Sequence, residues 1–126
     1  MPGISLVLMT VAGLVHVSFY VIESLLWRRP SVHRIFGVSS EADAETMAFA
    51  LFNQGYYNLF LAAGTFVGVG LSSGRLAHDK HELVVFCALF MVGAAAVLVA
   101  SNRKLWRGAV LQGGLPALAL LPALIL

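Results

Sequence analysis

The chain has 126 residues, of which 60% are hydrophobic and 11% are charged, and its mean hydropathy is +0.89. Roughly a quarter of the residues in soluble domains are charged, so this composition excludes an ordinary soluble domain and indicates one membrane domain. The net charge of +2 is too small to favour nucleic acid as a partner. A single cysteine, Cys87, allows no disulfide within the chain.

Four apolar runs follow one another along the sequence, and each is long enough to cross about 30 Å of hydrocarbon as a helix. They predict membrane spans at about residues 2–27, 46–71, 83–100 and 108–126, all within one domain of residues 1–126. We expect the first run to be a retained span, because no basic residue precedes it and no small-residue cleavage site follows it. Pro116 and Pro122 permit a kink in the fourth. The predicted fold class is all-α, an integral membrane bundle of four transmembrane helices.

Basic residues predict the orientation of this bundle. The loop after the second run holds only Arg75 and Lys80, whereas the loops after the first and third runs hold Arg28, Arg29, Arg34, Arg103, Lys104 and Arg107. Because cytoplasmic loops are enriched in Lys and Arg, we expect the first and third loops in the cytoplasm and both termini on the extracytoplasmic side. Trp27 and Trp106 lie beside these basic groups, where interfacial aromatic residues are expected.

The loops themselves carry two local patterns. Ser40 and Asp43 resemble the ends of a capping box, so the second helix is expected to begin near Ser40, outside the hydrocarbon. In the loop after the second run, His78 and His81 are three residues apart. We interpret this loop as solvated and mixed in charge; adventitious metal binding is the alternative, but no further ligand set supports a metal site.

Polar side chains inside the first apolar run are the best indication of function. His16, Tyr20, Glu23 and Trp27 follow one another at steps of four, three and four, which places them on one helix face. Ionisable groups inside membrane spans are costly, and they usually face the bundle interior or a water-filled cavity.

Amide and phenol side chains in the later runs complete a candidate site. The second run contributes Asn53, Gln54, Tyr57 and Asn58, and the fourth contributes Gln112. Counted from a membrane entry near residue 46, Asn53 and Gln54 lie about 10–12 Å deep at about 1.5 Å per residue. Because this level is close to that of Glu23 and Gln112, the sequence predicts a shared polar cavity facing the cytoplasm.

Simpler explanations exist for each of these residues. Glu23 can reach the interface or pair with Arg28 or Arg29, and His16 can donate to a helix carbonyl. Tyr57 can serve packing, and the amides can bridge helices for about 0.6–2 kcal/mol each. Several such groups beside one carboxylate at one level favour a site over bridging alone.

Small residues indicate where helices approach closely. Gly64 and Gly68 form a GxxxG pair in the second run, and Gly93 to Ala96 form a small-residue patch in the third. We expect these residues to pack within the monomer; a homo-oligomer through Gly64 and Gly68 is the alternative.

Several motifs also resemble a known family. They are the His16…Glu23…Trp27 spacing, Arg34-x-Phe36-Gly37, Asn53-Gln54-Gly55-x-Tyr57-Asn58-x-x-Leu61-Ala62-x-Gly64 and Gln112-Gly113-Gly114-x-Pro116-Ala117. Together they resemble the bacterial DUF1304 family of small integral membrane proteins over nearly the whole chain. The resemblance implies a four-helix membrane protein in a bacterial plasma membrane, and it implies no activity.

Three functions remain open at this point. The first is a binding protein or metal-free enzyme for a lipophilic molecule, an isomerase, cyclase or hydratase. Glu23 would then be the acid or base, and His16 or Tyr20 a second proton-transfer group. The polar head of the ligand would be oriented by Asn53, Gln54, Tyr57, Asn58 and Gln112, with Trp27 nearby. The others are a proton-coupled transporter and a non-catalytic scaffold. We expect membrane lipids and a lipophilic small molecule as partners and no cofactor.

Overall fold

A computed structural model describes residues 1–73 and 80–125 of the chain. Two residues named above lie outside the described residues. They are Arg75, which was counted in predicting the orientation, and His78, which was considered for metal binding. Within the described ranges the chain is almost entirely helical and contains no strand. The prediction of an all-α fold is therefore confirmed.

Four long helices and one short helix form the part of the chain that the structure describes. In chain order they are α1 (Gly3–Tyr20), α2 (Pro30–Ile35), α3 (Glu41–Ser73), α4 (Glu82–Ser101) and α5 (Trp106–Ile125). A π-helical turn at Val21–Leu25 extends α1, and a 3₁₀ turn at Arg103–Leu105 precedes α5. When the π turn is counted with α1, the long helices begin and end within a few residues of the predicted runs, except that α3 starts five residues before residue 46.

The early start of α3 has a local cause. The Ser40 hydroxyl accepts a hydrogen bond from the Asp43 backbone N–H at 3.1 Å, which satisfies one of the free donors of the first turn. Gly37, at a φ of 70°, turns the chain between α2 and α3, a left-handed conformation that glycine adopts without a steric penalty. The expected capping at Ser40 is confirmed.

The long helices pack around a core of small and sulfur-containing side chains. α1 contacts α3 and α5, and α4 contacts the same two helices. Met9, Ala12 and Met91 are fully buried between them. Gly68 brings α3 against the backbone of α4, since a Cβ added there would lie 2.8 Å from the Val84 nitrogen. This glycine therefore serves packing within the monomer, and a homo-oligomer stays a prediction.

The outer faces of the long helices are apolar. Each long helix exposes large hydrophobic side chains, among them Val7 on α1, Phe49 and Phe60 on α3, Phe86 on α4 and Leu118 on α5. Among the described residues, two helical stretches, Gly3–Leu25 and Glu82–Ser101, are long and apolar enough to cross a membrane.

Candidate functional site

A cavity of about 270 Å³ lies among the four long helices. All four contribute to its wall, which is formed by His16 of α1, Gln54, Tyr57, Asn58 and Leu61 of α3, Phe90 and Ala94 of α4, and Gln112 of α5. The structure thus brings together five of the residues that the sequence singled out: His16, Gln54, Tyr57, Asn58 and Gln112.

The cavity is accessible from the side of the helix assembly. Tyr57 and Phe90, which are 65% and 53% exposed, border it on α3 and α4. These two helices touch closely near Gly68 and Val84, and the cavity lies further toward the basic end of the molecule. The sequence indicated a pocket facing the cytoplasm; this lateral border is a feature that only the structure reveals.

His16 presents one defined ring nitrogen to this cavity. The side chain is 1% exposed, and its Nδ1 lies 2.9 Å from the carbonyl oxygen of Ala12. Because a carbonyl only accepts, Nδ1 carries the hydrogen and donates it, and in the neutral ring Nε2 is then an acceptor. His16 therefore makes the simple helix contact considered above and also lines the cavity.

Glu23 lies behind the cavity wall and does not form part of it. Its carboxyl is buried, and Asn58 Nδ2 donates to its Oε1 at 2.7 Å. This bond uses one of the two N–H donors of Asn58, so its second N–H and its amide oxygen remain available to other partners. Glu23 points toward α3, and its polar contact is with an amide and not with Arg28 or Arg29.

A π-helical turn positions Glu23. The Leu26 N–H donates to the Val21 carbonyl five residues earlier, at 2.9 Å, so the helix widens around Glu23. Such turns inside α-helices are rare and are frequent at functional sites. The Ser24 hydroxyl donates to the Phe52 carbonyl at 2.7 Å and packs against Gly55, which holds the turn close to α3.

The sequence model of one family, described as a protein of unknown function (DUF1304), matches residues 10–124. The chain belongs to the DUF1304 family. No curated protein and no solved structure matches it. The family resemblance drawn from the motifs is confirmed, and it leaves the activity open.

Besides Glu23, three further predicted site residues, Tyr20, Asn53 and Trp27, lie outside the cavity of this DUF1304 protein. Tyr20 packs edge-on against Tyr56, with ring centroids 5.1 Å apart. Asn53 is exposed. Trp27 follows the π turn, is buried, and donates from Nε1 to the Ala44 carbonyl at 2.9 Å. The single helix face that the spacing predicted is interrupted, because α-helical geometry ends at Tyr20 and the π turn ends at Leu25.

The cavity wall also contains three apolar residues that the sequence analysis did not select. Leu61 lies seven residues after Gln54 and three after Asn58, so the helical period of α3 contained a signal for it. Phe90 and Ala94 on α4 belong to a uniformly apolar run, in which no pattern distinguishes cavity-lining residues from lipid-facing ones.

The polar groups that line the cavity are amides, an imidazole and a phenol. Among residues 1–73 and 80–125, no three His, Cys, Asp or Glu side chains are grouped so that they would hold a metal ion. The polar groups described above suit hydrogen bonding to an organic ligand.

Proposed function

We propose that this DUF1304 chain is a four-span membrane protein that binds a lipophilic small molecule in the cavity among its long helices. One observation carries the proposal: polar side chains from α1, α3 and α5 converge on a single cavity of about 270 Å³ that is completed by apolar residues of α3 and α4. Ligand sites are concave and mostly apolar, with a few placed polar groups. Helix bridging alone would leave no such space between the amides.

The exposed surface supports residence in a membrane. Two helical stretches are long and apolar enough to cross a membrane. The other two long helices, α3 and α5, also expose large hydrophobic side chains, such as Phe49, Phe60 and Leu118. Monomeric soluble proteins rarely expose contiguous apolar surface on this scale. We therefore propose that all four long helices span the bilayer and that a ligand enters from the lipid between α3 and α4, beside Tyr57 and Phe90.

The chemistry of the cavity narrows the ligand class. The ring nitrogen Nε2 of His16 is an acceptor, because Nδ1 donates its hydrogen to the Ala12 carbonyl, and the amide oxygen of Asn58 is an acceptor as well. A ligand that fits is apolar over most of its surface and presents a hydroxyl or amine donor. If the protein is an enzyme, His16 is the group that exchanges a proton with the ligand in an isomerisation, cyclisation or hydration, and Glu23 positions Asn58.

Filling the cavity tests this proposal. Replacing Ala94→Phe places an aromatic ring in the cavity wall, and replacing Ala96→Phe places the same ring on the exposed face of the same helix. We expect the wild-type chain and the Ala96→Phe variant, purified in a mild detergent, to retain a lipophilic small molecule that native mass spectrometry detects. The Ala94→Phe variant should lose most of it.

Three results of these experiments would contradict the proposal or favour another function. Equal retention by both variants would exclude the cavity as the ligand site, and absence of any bound molecule from a folded wild-type chain would favour a scaffold. Release of protons when the purified ligand is added back to the detergent-solubilised protein would favour a proton-coupled transporter.

A further inference from the structure

A second cavity, of about 150 Å³, lies at the basic end of the molecule. It is formed where the chain leaves the π turn, folds through α2 and enters α3. Its wall contains Trp27, Arg28, His33, Glu41, Ala44, Glu45 and Ala48. None of these residues lines the cavity among the long helices, so the two spaces are separate.

The charges around this second cavity are of both signs. Arg28 supplies a guanidinium at one side, and Glu41 and Glu45 supply carboxylates from the first two turns of α3. Neither carboxylate is ion-paired with Arg28 in the part of the chain that the structure describes. A cation and two anions held apart around one small space suit a ligand that itself carries both charges.

His33 adds an independent indication of a ligand. Its Nε2 is buried and has no hydrogen-bond partner within the described residues, although the ring is packed against Trp27 with centroids 4.9 Å apart. Buried polar atoms without a partner are rare in folded proteins, and each calls for an explanation such as an unseen bound group. The same side chain lines the cavity, so a small rotation of the ring would let a ligand amine satisfy this nitrogen.

We propose that this second cavity binds the headgroup of a phospholipid with a primary amine, that is, a phosphoethanolamine group. The ammonium has three N–H donors, which match the acceptors Glu41, Glu45 and His33 Nε2. Arg28 binds the phosphate, as guanidinium groups do through charge-assisted hydrogen bonds. A choline headgroup has no N–H donor and fits this set poorly. The inference rests on the membrane placement proposed above and not on the cavity among the long helices.

The level of the cavity in the bilayer agrees with this ligand. α3 begins at Glu41, ahead of the apolar run that starts near residue 46, and Trp27 lies at the end of the first span. Aromatic and basic side chains of membrane proteins are enriched at headgroup level. The cavity is therefore placed where the amine of a cytoplasmic-leaflet lipid would be.

Competition between lipids tests the proposal. The full-length chain in detergent is equilibrated with equal amounts of phosphatidylethanolamine and phosphatidylcholine with the same acyl chains, and bound lipid is counted by native mass spectrometry. We expect the amine lipid to be preferred by about tenfold, the effect of one or two charge-assisted hydrogen bonds. Glu45→Gln and Glu41→Gln should each weaken that preference, and the double variant should abolish it.

A matched control removes the same charge elsewhere. Asp43 lies in the first turn of α3, is exposed and does not line the cavity. The Asp43→Asn variant should therefore keep the preference for phosphatidylethanolamine. Equal retention of both lipids by the wild-type chain, or an unchanged preference in the double variant, would overturn the proposal. Displacement of the lipid by equimolar water-soluble glycerophosphoethanolamine would overturn the assignment to a membrane lipid.

The two proposals fail separately in this design. Ala94→Phe, which fills the cavity among the long helices, should leave the lipid preference intact. A chain that alkaline carbonate extracts from membranes would instead contradict the membrane placement, whatever lipid it binds in detergent.

Discussion

At the scale of single residues, the contact between Glu23 and Asn58 is the most informative feature of the molecule. A buried carboxyl needs hydrogen-bond donors, and Asn58 supplies one at 2.7 Å from a different helix. The same contact sets the orientation of the Asn58 amide, and Asn58 also lines the cavity. One hydrogen bond thus connects the π turn that extends α1 to a residue of α3 in the cavity wall.

We predict that this contact can be measured as a coupling energy. Asn58→Ala should destabilise the protein by about 1–3 kcal/mol, because it leaves the buried Glu23 carboxyl without its donor. A double-mutant cycle with Glu23→Ala should give a coupling of about 1–2 kcal/mol. The measurement is thermal or denaturant unfolding in detergent.

Asn53 provides the control for that cycle. It is the same residue type on the same helix, but it is exposed and lies outside the cavity. Asn53→Ala should change the free energy of unfolding by less than about 0.5 kcal/mol. A comparable loss at both positions would mean that the Glu23 contact is not what makes Asn58 important.

At the scale of secondary-structure elements, the junction between the π turn and α3 places Glu23. Ser24 of the π turn packs against Gly55 of α3, and its hydroxyl donates to the carbonyl of Phe52, also on α3. The π turn and α3 therefore lie closer together than a side chain at position 55 would permit. A Cβ added at Gly55 would overlap the Ser24 hydroxyl and would lie 3.0 Å from its Cβ and 3.1 Å from its nitrogen. Moving one hydroxyl would not relieve this overlap, because the backbone is also close.

We therefore predict opposite effects for two glycine substitutions on α3. Gly55→Ala should destabilise the protein by about 1–3 kcal/mol through overpacking and should weaken ligand retention by displacing Glu23 from Asn58. Gly70→Ala, where no atom lies within 4 Å of an added Cβ, should be neutral or stabilising by up to about 1 kcal/mol. Both are read from unfolding in detergent together with bound ligand. Equal stability of the two variants would contradict the close approach at Gly55.

At the scale of the whole molecule, charge is concentrated at one end. Six Lys and Arg residues lie between α1 and α3 or between α4 and the first turn of α5. The acidic first turn of α3 lies at the same end. From the positive-inside tendency we predict that this end faces the cytoplasm and that both termini lie on the other side.

This orientation predicts a labelling pattern. A cysteine introduced at Ser39, between α2 and α3, should be protected in intact cells from a membrane-impermeant maleimide. One introduced at Ser73, at the far end of α3, should react. Both should react after permeabilisation, and the buried Cys87 should contribute little background. Reaction at Ser39 and protection at Ser73 would reverse the proposed topology.

Much of the fold was determined by local sequence properties. Apolar runs bounded by charged loops are enough to predict α1, α3, α4 and α5 nearly to their ends, because helix formation depends on segment length and composition. The Ser40 cap was predictable for the same reason, since it depends on residues three apart. The polar positions His16, Gln54, Asn58 and Gln112 stood out because such groups are costly in apolar runs.

Only the tertiary structure decided which of these groups meet. A helical period assumes regular geometry, so the π turn that rotates Glu23 and separates Trp27 from the preceding face was not predictable from spacing. Phe90 and Ala94 could not be selected from a uniformly apolar helix, and Asn53 could not be separated from Gln54 without knowing which face of α3 meets α1. The space between the helices depends on where Gly55 and Gly68 let them approach. That is a property of packing between distant segments, which no local pattern records.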